Sequence, residues 1–267
     1  MKLNYQLVCN CKNSKHYKIF SYLKPPLLEL KYLIKGKYER YYYQCNKCKH
    51  MYSKHKMHWN ESFYKGQYFN TTYKNEKKLD KRFNIVKSLP INKSDNKNRV
   101  IRINKFFKKK GLKVLDIGSG IGVFLYEMKK VGWKVSGIES DKQFANYSNK
   151  KHKLNIYCKD LFKFNPKKKF DLITLNKVLE HIKNPMEMLT KCKDFLKKDG
   201  LIHIELPSIK SKNNGKNSEE FCIEHHQVFS PQSLKYLINE SGMKPIIVKD
   251  IIDPSGKYTI YSFVKVK

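Results

Sequence analysis

The sequence contains a single alanine, Ala145, and only four arginines, Arg40, Arg82, Arg99 and Arg102, among its 56 basic residues. Lysine fills the solvated positions by default, the usage expected of an A/T-rich coding sequence. Arginine would be preferred wherever bidentate phosphate or guanine contacts mattered. Acidic residues are also scarce, 23 in all, which leaves a formal charge of +33. No apolar run approaches the roughly 18 residues that a membrane helix needs. The opening Met1-Lys2-Leu3-Asn4-Tyr5-Gln6 lacks the apolar core of a signal peptide. The expectation is a soluble, cytoplasmic protein. Seven cysteines, an odd number without a secretory signal, argue against a disulfide framework.

What is present is unevenly distributed. Residues 1–110 carry 28 basic and 6 acidic side chains, against 28 and 17 over residues 111–267. The N-terminal part is the better candidate for meeting an anion, whether a nucleotide diphosphate, a lipid head group or RNA. It also holds Cys9-Asn10-Cys11 and Cys45-Asn46-Lys47-Cys48. Two cysteine pairs a few tens of residues apart are the signature of a small zinc ribbon, in which four thiolates close a tetrahedral site. A short polar segment buries little apolar surface, so a structural Zn²⁺ would supply much of its folding energy. The second pair has the usual C-x-x-C spacing; the first has one residue between its cysteines, and His16, His50 and His55 are possible substitute ligands. Aromatic residues crowd behind: Tyr41, Tyr42, Tyr43, Tyr52, Trp59, Phe63, Tyr64, Tyr68, Phe69 and Tyr73. They read as packing first and as a stacking or sugar-binding wall second.

The chain is organised around Val114-Leu115-Asp116-Ile117-Gly118-Ser119-Gly120-Ile121-Gly122. Four strand-forming residues run into three glycines, and a helical stretch follows at once. Such a turn brings bare backbone N–H groups close to a ligand. The spacing is G-x-G-x-G rather than the G-x-G-x-x-G that seats a dinucleotide pyrophosphate. Asp116 before the first glycine would repel a pyrophosphate and welcome a cationic ligand with an amino-acid end. A second strand ends in Gly137-Ile138-Glu139, where Glu139 is placed to accept hydrogen bonds from ribose hydroxyls.

Together these stretches closely resemble the motifs of class I S-adenosylmethionine-dependent methyltransferases. More loosely, Cys45-Asn46-Lys47-Cys48-Lys49-His50-Met51-Tyr52 followed by Phe63-Tyr64-Lys65-Gly66-Gln67-Tyr68-Phe69 resembles the entry to members with a cysteine-rich N-terminal module. That resemblance implies action on nucleotide-linked sugars or surface-polysaccharide precursors.

From Leu112 onward short apolar strands and helices alternate, which predicts an α/β, Rossmann-like, doubly wound and mostly parallel sheet of seven strands. Strands are expected at 113–117, 134–138, 155–158, 170–175 and 200–206, and helices near 123–131, 142–151, 185–196 and 231–241. A terminal antiparallel hairpin, 244–252 with 257–266, supplies the reversed strand. The division expected is a cysteine-rich module (1–73), a basic linker with an amphipathic helix over 99–110 (74–110), and a methyltransferase domain (111–267).

Ligands of open α/β sheets sit beyond the carboxyl ends of the strands. There the resemblance assigns Asp160 to the adenine amino group, with Leu161 on the ring. It places Asn176 where the methyl sulfonium is approached, ahead of Glu180-His181. Asp116, Gly118, Ser119, Gly120, Gly122 and Glu139 complete the cofactor set. The loop Ile209 to Ser218 reads as a substrate lid. In Glu224-His225-His226, His225 is the candidate base, Glu224 its support and His226 the second choice. These residues also read as caps of the following helix.

The segment after Asn176 is not the Asp/Asn-Pro-Pro-aromatic loop of base methylation, and no Pro-Cys or Thr-Cys nucleophile stands at a strand end. The expected function is methyl transfer from S-adenosylmethionine to a small, sugar-type acceptor. An RNA methyltransferase holding RNA on the basic zinc module and a non-catalytic cofactor-binding module are the rivals.

Overall fold

The computed structural model describes residues 8–29, 34–59, 67–109 and 111–267. The opening residues 1–6 and the Phe63-Tyr64-Lys65-Gly66 stretch lie outside them. The N-terminal part runs β1 (His16–Tyr22), β2 (Ile34–Lys35), β3 (Arg40–Cys45), β4 (Met51–His55), β5 (His58–Trp59), α1 (Gln67–Thr72), α2 (Glu76–Ser88) and α3 (Asp95–Asn104). Alternation then begins with β6 (Lys113–Ile117), α4 (Val123–Lys130), β7 (Lys134–Glu139), α5 (Lys142–His152), β8 (Ile156–Cys158), β9 (Phe170–Asn176), α6 (Pro185–Cys192) and β10 (Leu196–Pro207). It ends in β11 (Gln227–Val228), α7 (Pro231–Glu240), β12 (Met243–Ile252) and β13 (Tyr258–Val266).

The large sheet has seven strands in the order β12-β13-β10-β9-β6-β7-β8. Its strands are parallel except β13, which is antiparallel to both neighbours. This is the doubly wound sheet that the alternating pattern predicts. The central strands are apolar on both faces because helices cover both. Leu115, Ile173 and Ile204 pack with Leu189 and Leu237 on one side. Val114, Leu172 and Phe263 pack with Ile103 and Leu125 on the other. Each such side chain, fully buried, stabilises the fold by roughly 1.5–3 kcal/mol. The chain winds outward from β6 to β8 and returns to β9 on the other side of β6. Loops therefore diverge above β6, and a crevice opens there.

Two readings need correction. The connector 74–110 is mostly helical. Asn75 caps α2 by accepting from the Lys78 N–H at 3.0 Å, and Leu79 and Phe83 are buried one turn apart. The amphipathic helix starts earlier than expected, at Asp95 with Ser94 as its cap, and ends at Asn104. Val100 and Ile103 face the core, and Lys110 lies outside the described residues.

A four-stranded sheet, β1-β3-β4-β11, packs beside the large one. Its last strand comes from the C-terminal half, with Gln227 opposite Tyr52 and Val228 opposite Met51. The stretch read as a lid is a short 3-10 turn, Ile209–Asn214, with Ser211 buried. Tyr22 Oη donates to the Lys216 carbonyl at 2.6 Å and ties that segment to β1. Among the described residues no helix is long and apolar enough to cross a membrane.

Candidate active site

β6 and β7 lie in register, so Asp116 is opposite Gly137 and Ile117 opposite Ile138. The chain leaves β6 through Gly118, Gly120 and Gly122, all at positive φ, a region costly for residues with a Cβ. Close approach explains Gly137 too: a Cβ there would stand 2.7 Å from Ser119 Oγ and 2.9 Å from Leu125. Glu139, at the end of β7, reaches across. Its Oε2 accepts from the Gly120 N–H at 2.8 Å, and its Oε1 from the Asp141 N–H at 2.9 Å. Ser140 Oγ adds a longer bond to Oε1 at 3.4 Å; a carboxylate offers about four lone-pair sites, so Glu139 keeps capacity for a further hydroxyl donor. Burial raises its pKa above the ordinary value.

Asp116 is buried at the head of the loop. Its Oδ1 accepts from Thr174 Oγ1 at 2.6 Å and from Asn176 Nδ2 at 2.9 Å. Burial pushes its carboxyl up to about 7, against the opposing pull of Thr174 and Arg99. The Asn176 amide is thus turned onto Asp116 and does not line the crevice.

The crevice is a cavity of about 420 Å³ lined by Gly118, Gly120, Glu139, Asp160 and Leu161, among others. That falls within the roughly 300–1,000 Å³ of small-molecule sites. Asp116, Ser119, Gly122 and Asn176 stand outside that lining and act by shaping it. Asp160 both lines the cavity and caps the next turn, accepting from the Phe162 N–H at 2.8 Å. The expected capping role is thus filled by a residue that also faces the cavity.

Lys177, Val178 and His181 also line the cavity, and Lys177 is a site residue beyond the expected set. It has φ +58° and donates from Nζ to Thr259 Oγ1 at 2.6 Å. Burial lowers its pKa. Its signal in the sequence was only a lysine at a strand end.

His225 stands next to the lining residue His181, its ring 4.5 Å from that of His181 and edge-on to it. Burial lowers the His225 pKa to about 4 and that of His181 to about 3. Glu224 contributes through its main chain: its carbonyl accepts from His181 Nδ1 at 3.2 Å. A carbonyl only accepts, so this bond places the His181 proton on Nδ1. No hydrogen bond joins the Glu224 carboxylate to His225 among the described residues, which corrects the expected carboxylate support. His226 is buried and turns toward His55, with ring centres 6.1 Å apart. Ser230, not the histidines, caps α7, accepting from the Ser233 N–H at 3.0 Å.

This segment is held from the N-terminal sheet. Arg40, fully buried, donates to the Phe221 carbonyl at 2.7 Å and to Glu29 at 3.0 Å. Glu29 in turn accepts from the Ile223 N–H at 2.9 Å, and Tyr42 Oη donates to the His225 carbonyl at 2.5 Å.

Cys9, Cys11, Cys45 and Cys48 converge with their sulfurs within 4.8 Å of one another. The short first pair therefore reaches the same centre as the second. His16, His50 and His55 bond instead to Tyr52, Gln227 and Ser53. Burial raises the Cys9 thiol to about 11, while N–H donors and the Cys9 thiol outweigh burial at Cys45 and bring it to about 7. Four soft donors in one half-dry cluster fit a tetrahedral Zn²⁺.

Among the described residues the aromatic crowd divides between two places. Tyr43 stacks on Tyr52 at 5.7 Å under the Lys54 ammonium. Phe69 and Tyr73 pack on Phe144, which lines the cavity.

A sheet of this order, with a cavity of about 420 Å³ over its switch point, defines the Rossmann-like class of α/β folds. A sequence model described as a methyltransferase domain matches residues 94–247, more than half of the chain, and the chain belongs to that family. It is 37% identical over 105 residues to a ubiquinone biosynthesis O-methyltransferase of Glaesserella parasuis, covering 35% of this chain and 44% of the relative. A Pelagibacter ubique protein of the same name is 32% identical over 128 residues, covering 45% and 48%. The chain thus spans less than half the length of these relatives. Its fold is similar to that of magnesium protoporphyrin IX methyltransferase from Synechocystis, with a TM-score of 0.59 at 13% identity over 78% of this chain and all of that one. It is also similar to a methyltransferase of Aquifex aeolicus, with a TM-score of 0.55 at 20% identity over 72% and 99%.

Proposed function

We propose that the chain transfers the methyl group of S-adenosylmethionine to a small-molecule acceptor. The observation that carries this reading is Glu139 bridged to the Gly120 N–H at the floor of a nucleoside-sized cavity. Glu139 would hold the ribose hydroxyls and Asp160 with Leu161 the adenine. Asp116 sets the charge beneath the amino-acid end, and Gly118 and Gly120 keep the floor clear. Bound there, the cofactor supplies a methyl group activated by sulfonium. The chain then has to orient the acceptor and take its proton. His225, neutral at pH 7, is the base, and Glu224 fixes the tautomer of His181 beside it.

The acceptor we favour is a nucleotide-linked or surface-polysaccharide sugar, its phosphate met by the lysines of residues 1–73. Zinc held by the four cysteines would keep that module folded, in a cytoplasmic enzyme whose catalytic domain begins at residue 111. The relatives' names, ubiquinone biosynthesis O-methyltransferase, favour a second acceptor, an oxygen of a quinone precursor, for which 1,2-dihydroxybenzene is the simple probe. Turnover of the cofactor against uridine-diphosphate sugars and against 1,2-dihydroxybenzene separates the two. A rate on the sugars that His225→Ala abolishes supports the first. A rate on the diol alone replaces the acceptor and leaves the cofactor reading standing.

A further inference from the structure

Among the described residues, Glu180 is an acid of the site with both carboxyl oxygens buried and neither hydrogen-bonded to another residue. Its exposure is 1%. Leaving such a group unpaired costs several kcal/mol, roughly, unless it is neutral or in use. Its surroundings are those of a site rather than of a core. One Glu180 oxygen and one ring nitrogen each of His181 and His225 lie within 4.8 Å of one another. His225 Nδ1 is likewise buried without a partner, while the ring bonds the Glu220 carbonyl through its other nitrogen. The backbone locks the two residues together, since the His226 N–H donates to the Glu180 carbonyl at 2.9 Å.

The charged and titratable groups around Glu180 come from several elements. Lys177 at the end of β9 and Glu205 on β10 act on it electrostatically. His181 shares its own turn, and Glu224, His225 and His226 come from the segment before β11. Burial outweighs the Lys177 charge and raises the Glu180 carboxyl to about 8. A ring whose conjugate acid is as strong as that of His225 passes a proton on rather than keeping it.

We infer that Glu180 is the proton store of the acceptor site, taking through His225 the proton that the acceptor loses. This rests on the reading of His225 as base. The electron pair of the acceptor's X–H bond stays on X and forms the bond to the methyl carbon, while sulfur keeps the pair of the bond that breaks. The proton moves to the free His225 nitrogen, Nδ1, and that nitrogen hands it on to a Glu180 oxygen, while the other ring nitrogen keeps its proton on the Glu220 carbonyl. The carboxylate ends neutral and the imidazole is restored. Glu180 touches neither cofactor nor acceptor, so it is a positioning residue.

The test has an acceptor-free arm. In the full chain labelled with carbon-13 at glutamate carboxyls, one resonance should titrate near pH 8, vanish in Glu180→Gln and move its midpoint in His225→Ala. In the second arm, with uridine-diphosphate sugars or 1,2-dihydroxybenzene, the wild-type rate should rise about tenfold per pH unit below that midpoint. Glu180→Gln should flatten that limb and lower kcat about 100-fold, with the cofactor KM unchanged, and Glu180→Asp should restore the limb in part. A Glu180 midpoint near the ordinary glutamate value, or one indifferent to His225→Ala, overturns the proposal. So does a pH limb that survives Glu180→Gln. If neither acceptor is methylated, the proposed acceptor falls, and the carboxyl titration still decides the proton store.

Discussion

Arg40→Met should be the most damaging single change outside the cavity. The guanidinium makes three hydrogen bonds: to Tyr38 Oη at 3.0 Å, to the Phe221 carbonyl at 2.7 Å and to Glu29 at 3.0 Å. Both charged side chains of the pair have 0% exposure. Methionine keeps the length and the apolar stem but leaves Glu29 as a buried, unanswered carboxylate. Breaking a buried pair from one side costs roughly 3–5 kcal/mol, a large share of the roughly 5–15 kcal/mol of a whole domain. The double change Arg40→Met with Glu29→Gln leaves no orphan charge and should recover part of that loss. Urea denaturation of the three proteins measures this directly, and binding of S-adenosylhomocysteine at low denaturant reports the cavity separately. The nucleoside should still bind to Arg40→Met, because Arg40 holds the His225 segment and not the glycine loop. A loss below about 1 kcal/mol, the worth of an exposed pair, would refute the reasoning.

Three further changes probe the site and the cysteine cluster. Gly118→Ala forces a Cβ to 2.8 Å from Val178 at φ +69°; with about 1–2 kcal/mol of backbone cost, nucleoside affinity by calorimetry should fall at least about tenfold. Asp116, with its carboxyl near 7, should bind the cationic amino-acid end more tightly as pH rises from about 6 to 8, and Asp116→Asn should remove that trend. The sign for the empty protein is opposite. A raised acid stabilises the fold in its neutral form, so the contribution is present below the ordinary aspartate value and lost as pH rises through about 7; a urea series with pH checks it. Elemental analysis should find about one zinc per wild-type chain and none in Cys45→Ser, whose N-terminal sheet should lose its protection from amide exchange.

How far the sequence could be read follows from the separation of the partners. The stretch from Val114 to Glu139 was legible because strand, turn and second strand end lie close together and only glycine fits the turn. The four cysteines were legible as a set, since sulfur pairs have few other uses. Helix α2 was missed because lysines dominate its outer face, although Leu79 and Phe83 stand at i and i+4. The clamp of Arg40 on Phe221 spans 181 residues, and no local pattern encodes it. In the sequence Glu180 stands out only as the neighbour of His181. Its unpaired state depends on β10 and on the segment before β11 folding over it, which periodicity does not reveal. The hydrogen bond from the Asn176 amide to Asp116 joins positions 60 residues apart, and no local pattern encodes it.

The most direct measurement is isothermal calorimetry of the purified chain with S-adenosylhomocysteine, repeated with Glu139→Ala. One saturable site per chain, lost when the Glu139 carboxylate is removed, is the expected result. Wild-type protein that gives no heat above dilution, or binding indifferent to Glu139, would contradict the placement of a nucleoside over the glycine loop.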